Sequence, residues 1–187
     1  MRRSRFSLVA GVVLVLAVGL AVNTITEHTR PSGSLATTFA LGEDARVGDF
    51  QVHVHGAQAA AVLDDDGAAV ETNGVWVILD LSMASTKLPN RLYGLGLRDS
   101  AGRTFTVSSR SPASLWQVAP DTWIRGEVAF EVPADALGDL TVFVWPYLRS
   151  NIESDPVGYG VTQVTVTEVE NQRVSLAEPT LLPAGER

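Results

Sequence analysis

The chain contains no cysteine. That single absence excludes disulfides, thiolate nucleophiles, Cys-ligated zinc and iron–sulfur centres. It does not decide the compartment, because an exported domain with an adequate apolar core needs no disulfide. Lysine is nearly as scarce. Lys87 is the only one and the other 13 basic residues are arginines, a bias that, with much Ala, Val and Gly, suits a GC-rich bacterial genome. Only three histidines occur, His28, His53 and His55, so imidazole chemistry has few places to occur. Basic charge is in deficit as a whole, with 14 basic against 21 acidic residues and a net charge of −7. Setting aside Arg2, Arg3 and Arg5 at the head leaves 11 basic against 21 acidic residues, or −10. A surface that negative repels phosphate backbones and argues against a nucleic-acid partner. Disorder throughout is excluded in turn, since 45% of the 187 residues are hydrophobic and 19% charged.

The longest apolar run stands at the N-terminus. Phe6 to Val22 has Ser7 as its only polar residue, and extension to Ile25 gives 20 residues. At about 1.5 Å per helical residue this spans roughly 30 Å, the thickness of a bilayer core. Arg2, Arg3 and Arg5 immediately precede it, and the positive-inside tendency holds them in the cytoplasm. The expected organisation is a basic head over 1–5 and a transmembrane segment over 6–25. A cleavable signal has a shorter apolar region and small residues before the cut, whereas Gly19-Leu20-Ala21 is the only tolerable cleavage site here. The length favours a retained single-pass anchor with the C-terminal part outside, and secretion after cleavage is the alternative. Residues 26–47, rich in Thr, Ser and Gly, suit a flexible tether, and 171–187 reads as a weakly patterned tail.

Between these ends lie short runs of period two, the mark of half-buried strands. Phe50, Val52 and Val54 alternate with Gln51, His53 and His55. Val75, Val77, Leu79, Leu81 and Met83 form the longest series, and Trp76 and Ile78 make its start apolar on both faces, as a central strand would be. Leu95 and Leu97 lead through Asp99-Ser100-Ala101-Gly102 into Thr104–Val107, a hairpin with Gly102 at a positive φ. Val128, Phe130 and Val132 alternate until Pro133; Leu140, Val142 and Val144 alternate with Thr141, Phe143 and Trp145; Val164 and Val166 follow. No amphipathic helix is convincing; Gly56–Leu63 is dense in alanine but short, and reads as strand or irregular edge. The fold class is therefore all-β, a two-sheet antiparallel β-sandwich over 48–170.

Three segments in order, Thr72–Leu81, Leu97–Phe105 with its D-x-x-G turn, and Gly126–Pro133 reading G-x-V-x-F-x-V-P, resemble the immunoglobulin-like bacterial envelope domains related to the mycobacterial immunoprotective extracellular antigen. The resemblance covers roughly Gly48 to Glu168. It implies an immunoglobulin-like sandwich, secreted or tethered, with no catalytic residues to carry over. One turn departs from the pattern: Pro120 is followed by Asp121, where family members commonly have glycine.

Candidate chemistry is sparse. His53 and His55, separated by one residue on a strand, share a face and could both reach one metal ion, although without a third ligand nearby an exposed strand face is the favoured explanation. Asp64, Asp65 and Asp66 before Gly67 offer oxygen ligands, Asp64 and Asp66 foremost, but lack the D-x-D-x-D spacing of a calcium loop, and turn chemistry suffices. No G-x-S-x-G occurs, and Glu127 and Glu131, four residues apart on a strand, lie about 13 Å from each other, too far for a glycosidase pair. No enzyme activity and no cofactor are expected. Trp116, Trp123 and Arg125 sit in an apparent loop; the favoured reading is that the two rings plug one end of the core, and the alternative is a contact site, since these residue types dominate binding surfaces. The expected function is a non-catalytic interaction module outside the membrane, with an envelope protein as partner. The alternatives are an accessory ectodomain of a membrane transport or secretion complex, and an extracellular ligand- or ion-binding protein.

Overall fold

The computed structural model describes residues 35–91, 94–111, 116–145 and 158–187. Its strands run in the order β1 (Leu35–Thr38), β2 (Asp44–Val47), β3 (Phe50–Asp65), β4 (Ala68–Ser85), β5 (Asn90–Arg91), β6 (Gly94–Arg98), β7 (Thr104–Thr106), β8 (Gln117–Val118), β9 (Ile124–Val132), β10 (Gly138–Trp145), β11 (Gly158–Val166), β12 (Val169–Ser175) and β13 (Thr180–Leu181). One turn of 3-10 helix, Ala134–Ala136, follows Pro133, which stops β9 as its missing N–H requires. Among the described residues no helix is long and apolar enough to cross a membrane; the stretch 6–25 expected to do so lies outside them.

The 16-residue β3 and 18-residue β4 form a hairpin closed by Asp66 (φ 50°) and Gly67 (φ 88°). Two consecutive positive φ angles define a type I′ turn, whose twist matches that of the flanking strands. Asp66 and Gly67 at the end of the acidic run supply this turn. Around this hairpin the second sheet assembles in the order β12-β3-β4-β9-β13, with β2 pairing the early half of β3. The first sheet has the order β1-β11-β10-β6-β7, and β5 and β8 make a separate two-stranded pair. Period-two alternation turns one side of each sheet inward. Phe50, Val52, Val77, Leu79, Leu81, Val128 and Phe130 of the second sheet meet Leu97, Leu140, Val142, Val144, Val164 and Val166 of the first in one core. Chain 104–111 closes one flank: β7 pairs β6, after which Val107 bridges Phe130 and the Ser108 N–H donates to the Ala129 carbonyl at 3.0 Å.

Two expectations need correction. The sheets are mixed, because β1 runs parallel to β11 and β12 parallel to β3. Both are edge strands whose partners lie far away in the sequence, so no tight hairpin imposes an antiparallel direction. The tether and the tail also contribute structure. Within 26–47, β1 and β2 join the sheets and Phe39, Ala45 and Val47 enter the core; within 171–187, most of β12 and all of β13 do so. These short strands carry too few apolar positions for periodicity to reveal them; β1, β12 and β13 are held by the edge of a distant strand, and β2 by its tight hairpin with β3.

A second apolar cluster covers the outside of the hairpin. Ala60, Leu63, Trp76, Ile78 and Ala129 are buried there under Val70, Val174 and Leu176, and the Trp76 indole N–H donates to the Val70 carbonyl at 3.0 Å. Gly74 sits where β4 bulges away from β3, and a Cβ on it would lie 2.0 Å from the Val132 carbonyl oxygen. Asp121 adopts φ 53°, the left-handed conformation that glycine takes most readily. Two stability changes follow from these positions. Gly74→Ala should destabilise the fold by about 1–3 kcal/mol, as overpacking against a fixed carbonyl does, whereas Asp121→Gly should leave the melting temperature unchanged or raise it. Thermal unfolding of the two variants checks both, and a neutral Gly74→Ala would show that β9 does not approach β4 as closely as described.

Candidate functional site

The histidine pair lies on the outward face of the second sheet. Inward Val52 and Val54 leave His53 to point outward, and His55 is the extra residue of a bulge between Val54 and Gly56, which keeps it outward too. Their ring centroids are 4.4 Å apart. Each ring is engaged elsewhere: His53 Nδ1 lies 2.8 Å from Asp44 Oδ1, and His55 Nε2 lies 2.7 Å from the buried Ser82 hydroxyl. Burial lowers the pKa of His55 below its ordinary 6.5; Arg125 and His53 add to this, against Asp80 and Asp44. Among the described residues no three His, Asp or Glu side chains are grouped to hold a metal ion. Asp64 and Asp66 are at the far end of the same hairpin, roughly 35 Å along the strand from His53. The Asp64 carboxylate accepts the Gly67 N–H and the Ser175 hydroxyl, with Arg173 at 4.0 Å.

Of Trp116, Trp123 and Arg125, the two rings are buried and only Arg125 is exposed. Trp116 is 6% exposed, belongs to the central core and packs on Gly126, whose missing Cβ would stand 2.7 Å from the ring. Trp123 is also 6% exposed, but outside both apolar clusters. It is covered by Arg187, whose guanidinium carbon lies 4.3 Å from the ring centroid. Arg125 is held by Asp80 through two bonds of 3.0 and 2.6 Å, which also raises its pKa. Glu127 and Glu131 have structural partners: Glu127 accepts the Ala177 N–H at 2.8 Å, and Glu131 accepts Thr72 and Arg110.

The outward face of the first sheet carries a group that the sequence reading passed over. Alternation turns Leu140, Val142 and Val144 into the core and Phe143 and Trp145 to the other face, where Tyr159 of the neighbouring strand joins them; Phe143 is only 7% exposed, and Trp145 and Tyr159 are half-buried. Phe143 and Trp145 are nearly parallel, 7° between planes and 5.3 Å between centroids, while Tyr159 lies 6.1 and 6.4 Å from them. The exposed Arg98 places its guanidinium carbon 4.5 Å from the Phe143 centroid. Glycines make room for this group. Trp145 packs over Gly94 and Gly96, where a Cβ would come within 2.9 Å of its side chain. The signal was present as two aromatics on the polar side of an alternating strand, opposite glycines two residues apart. Strand pairing alone revealed that the glycines and aromatics are neighbours.

No family model matches the chain, and no curated protein does. Among solved structures it is similar to the yjhA protein from Bacillus subtilis, at 14% identity and a TM-score of 0.47, over 68% of this chain and 99% of that one.

Asp99 illustrates how much of the polar chemistry is structural. Its buried carboxylate accepts the Arg103 N–H at 2.8 Å and the Arg103 guanidinium at 2.6 Å, and Arg103 continues to Asp135. Burial pushes the Asp99 carboxyl up, but the Arg103 bonds outweigh it and hold the pKa below 3.8. The folded state therefore binds this proton less readily than the unfolded chain, and the stabilisation is present above pH 3.8 and lost as the pH falls through the lowered value. Asp99→Asn should be less stable near neutrality and show a shallower acid limb in melting temperature against pH; parallel curves would contradict this. Trp116→Ala should cost about 3–5 kcal/mol in chemical denaturation, as a truncated core aromatic does, and a near-neutral result would return Trp116 to the surface.

Proposed function

We propose that the domain is a non-catalytic interaction module of the bacterial cell envelope, presented outside the membrane by its N-terminal segment. The observation that carries the reading is the half-buried pair Trp145 and Tyr159 on the outer face of the first sheet, stacked against the buried Phe143 with the exposed Arg98 beside it. Aromatic residues and arginine supply most of the binding energy at protein contacts, because they bury large area at low entropy cost and offer a directional polar end. Here they stand on the side of a sheet that strand alternation normally leaves polar. Glycines, which weaken strand interiors, are kept beneath them at Gly94 and Gly96.

Export is supported by the uninterrupted apolar stretch Phe6–Ile25 behind Arg2, Arg3 and Arg5. Its length favours retention as a single-pass anchor, with secretion the alternative. An immunoglobulin-like sandwich of the envelope family related to the mycobacterial immunoprotective extracellular antigen is supported by the ordered segments Thr72–Leu81, Leu97–Phe105 and Gly126–Pro133. These fall on the central strand, the Asp99–Gly102 hairpin and the adjacent strand β9. The partner is an envelope protein.

The test is cross-linking on intact cells with the wild-type chain and Trp145→Ala. Trp145 is half-buried over Gly94 and Gly96, so its truncation should lower the melting temperature by several degrees, and the comparison is made at a temperature where unfolding curves show both chains folded. The cross-linked neighbour seen with the wild type should disappear. Retention of the same neighbour by a folded Trp145→Ala chain would overturn the reading.

A further inference from the structure

The edge of a sheet is a template for another strand where its backbone groups point outward and nothing in the strand prevents pairing. β1 is such an edge. It pairs in parallel with β11, from Leu35 against Gly158 to Thr38 against Val161, and the Phe39 N–H donates to the Val161 carbonyl at 3.1 Å. Backbone direction repeats every two residues along a strand, so Leu35 and Thr37 face β11 as Phe39 does. The N–H and C=O groups of Ala36 and Thr38 therefore point away from the sheet, and among the described residues no strand lies beyond them. The side chains of these two residues lie on the outer face, level with Tyr159 and Val161.

The other edges of the two large sheets are guarded. β7 continues into Val107, which bridges Phe130 of the second sheet. β12 bulges between Glu170 and Arg173 and carries both charges. β2 presents Asp44 and Arg46, and the two-residue β13 stands between Pro179 and Pro183. β1 has no charge, no proline and no bulge, so its shortness is its one protection. Leu35 at its start is 59% exposed, and a further strand would cover it.

We propose that β1 accepts an extended segment of the partner protein, which adds to the first sheet as a further strand. This deepens the reading of the aromatic pair and rests on it for the partner being an envelope protein. Strand spacing places the added segment about 5 Å outside β1 and about 10 Å from β11. In register with Tyr159, the residue of β1 that stands between them is Ala36, with a single methyl group. A long side chain on the outer face of the segment can cross it to the Tyr159 ring, which leads to Trp145 at 6.4 Å. One extended segment thus satisfies the open edge and reaches the aromatic pair. A second copy of this chain fits less well. Four residues of edge bury far less than the roughly 1,200 Å² a stable association needs, and two chains of net charge −7 repel each other. Residues 35–38 and 158–161 carry no charge, so the segment suited to them is apolar or hydroxyl-bearing on its outer face.

Ala36→Pro is the selective variant. Its N–H faces away from β11, so its loss leaves the existing sheet bonded while the proline ring blocks an added strand. The melting temperature should stay within about 3 °C of the wild type. Thr37→Pro removes a donor that faces β11 and should melt at least about 5 °C lower, which checks the register. Cross-linking on intact cells then compares the full chain as wild type, Ala36→Pro and Trp145→Ala, at a temperature where unfolding curves show all three folded. Both variants should lose the neighbour that the wild type captures. A folded Ala36→Pro chain that keeps this neighbour overturns strand addition; if Trp145→Ala loses it in the same experiment, the aromatic reading survives alone. Retention by Trp145→Ala with loss in Ala36→Pro would remove the aromatic reading and leave the edge as the contact. Absence of any captured neighbour, or equal melting of the two proline variants, would also overturn the proposal. Wild-type dimers that disappear in Ala36→Pro would overturn it in favour of pairing between two copies.

Discussion

Strand β4 is covered on both faces through its middle, and the remaining architecture depends on that double burial. Val77, Leu79 and Leu81 face the first sheet, while Trp76 and Ile78 face outward under Val70, Val174 and Leu176. Removing that much apolar surface from water on both sides favours a central position, because an edge strand could not supply two covers. β3 and β9 occupy the flanking places, and the outward cover must then come from elsewhere in the chain. It comes from the C-terminal segment, which reaches the outer cluster with Val174 and Leu176 and continues across to β9. The tail is thus part of the fold because of what β4 exposes.

Strands whose alternation contrasts apolar with polar residues were legible in the sequence. Phe50–Val54, Val75–Met83, Val128–Val132 and Leu140–Val144 all lie in observed strands, and Gly102 takes the positive φ its turn needs. What stayed hidden shares one physical cause. β1, β12 and β13 are short, polar and mostly exposed, so they leave almost no period-two signature, and pairing with a distant edge determines them, while β2 has only four residues and is fixed by its tight hairpin with β3. The parallel direction of β1 and β12 was hidden for the same reason: direction belongs to topology, which local pattern does not encode.

For the candidate sites the lesson differs by residue type. That His53 and His55 share a face followed from strand geometry and holds, with rings 4.4 Å apart. Their engagement by Asp44 and Ser82 required knowing that β2 and β4 flank them. Trp116 and Trp123 looked alike in sequence, yet one ring plugs the core and the other lies under Arg187, 64 residues further along the chain. Phe143 and Trp145 were visible as outward aromatics, but Tyr159, Arg98 and the glycines that seat them converge only through pairing of β6, β10 and β11.

Native-state hydrogen exchange across the second sheet tests the central claim most directly. If β4 is the doubly buried element around which the sandwich assembles, the amides of Val77 to Leu81 exchange only through global unfolding, with the highest protection in the chain, while those of β12 and β13 exchange through cheaper local opening. Amides of β4 exchanging as readily as those of β12 would contradict the account.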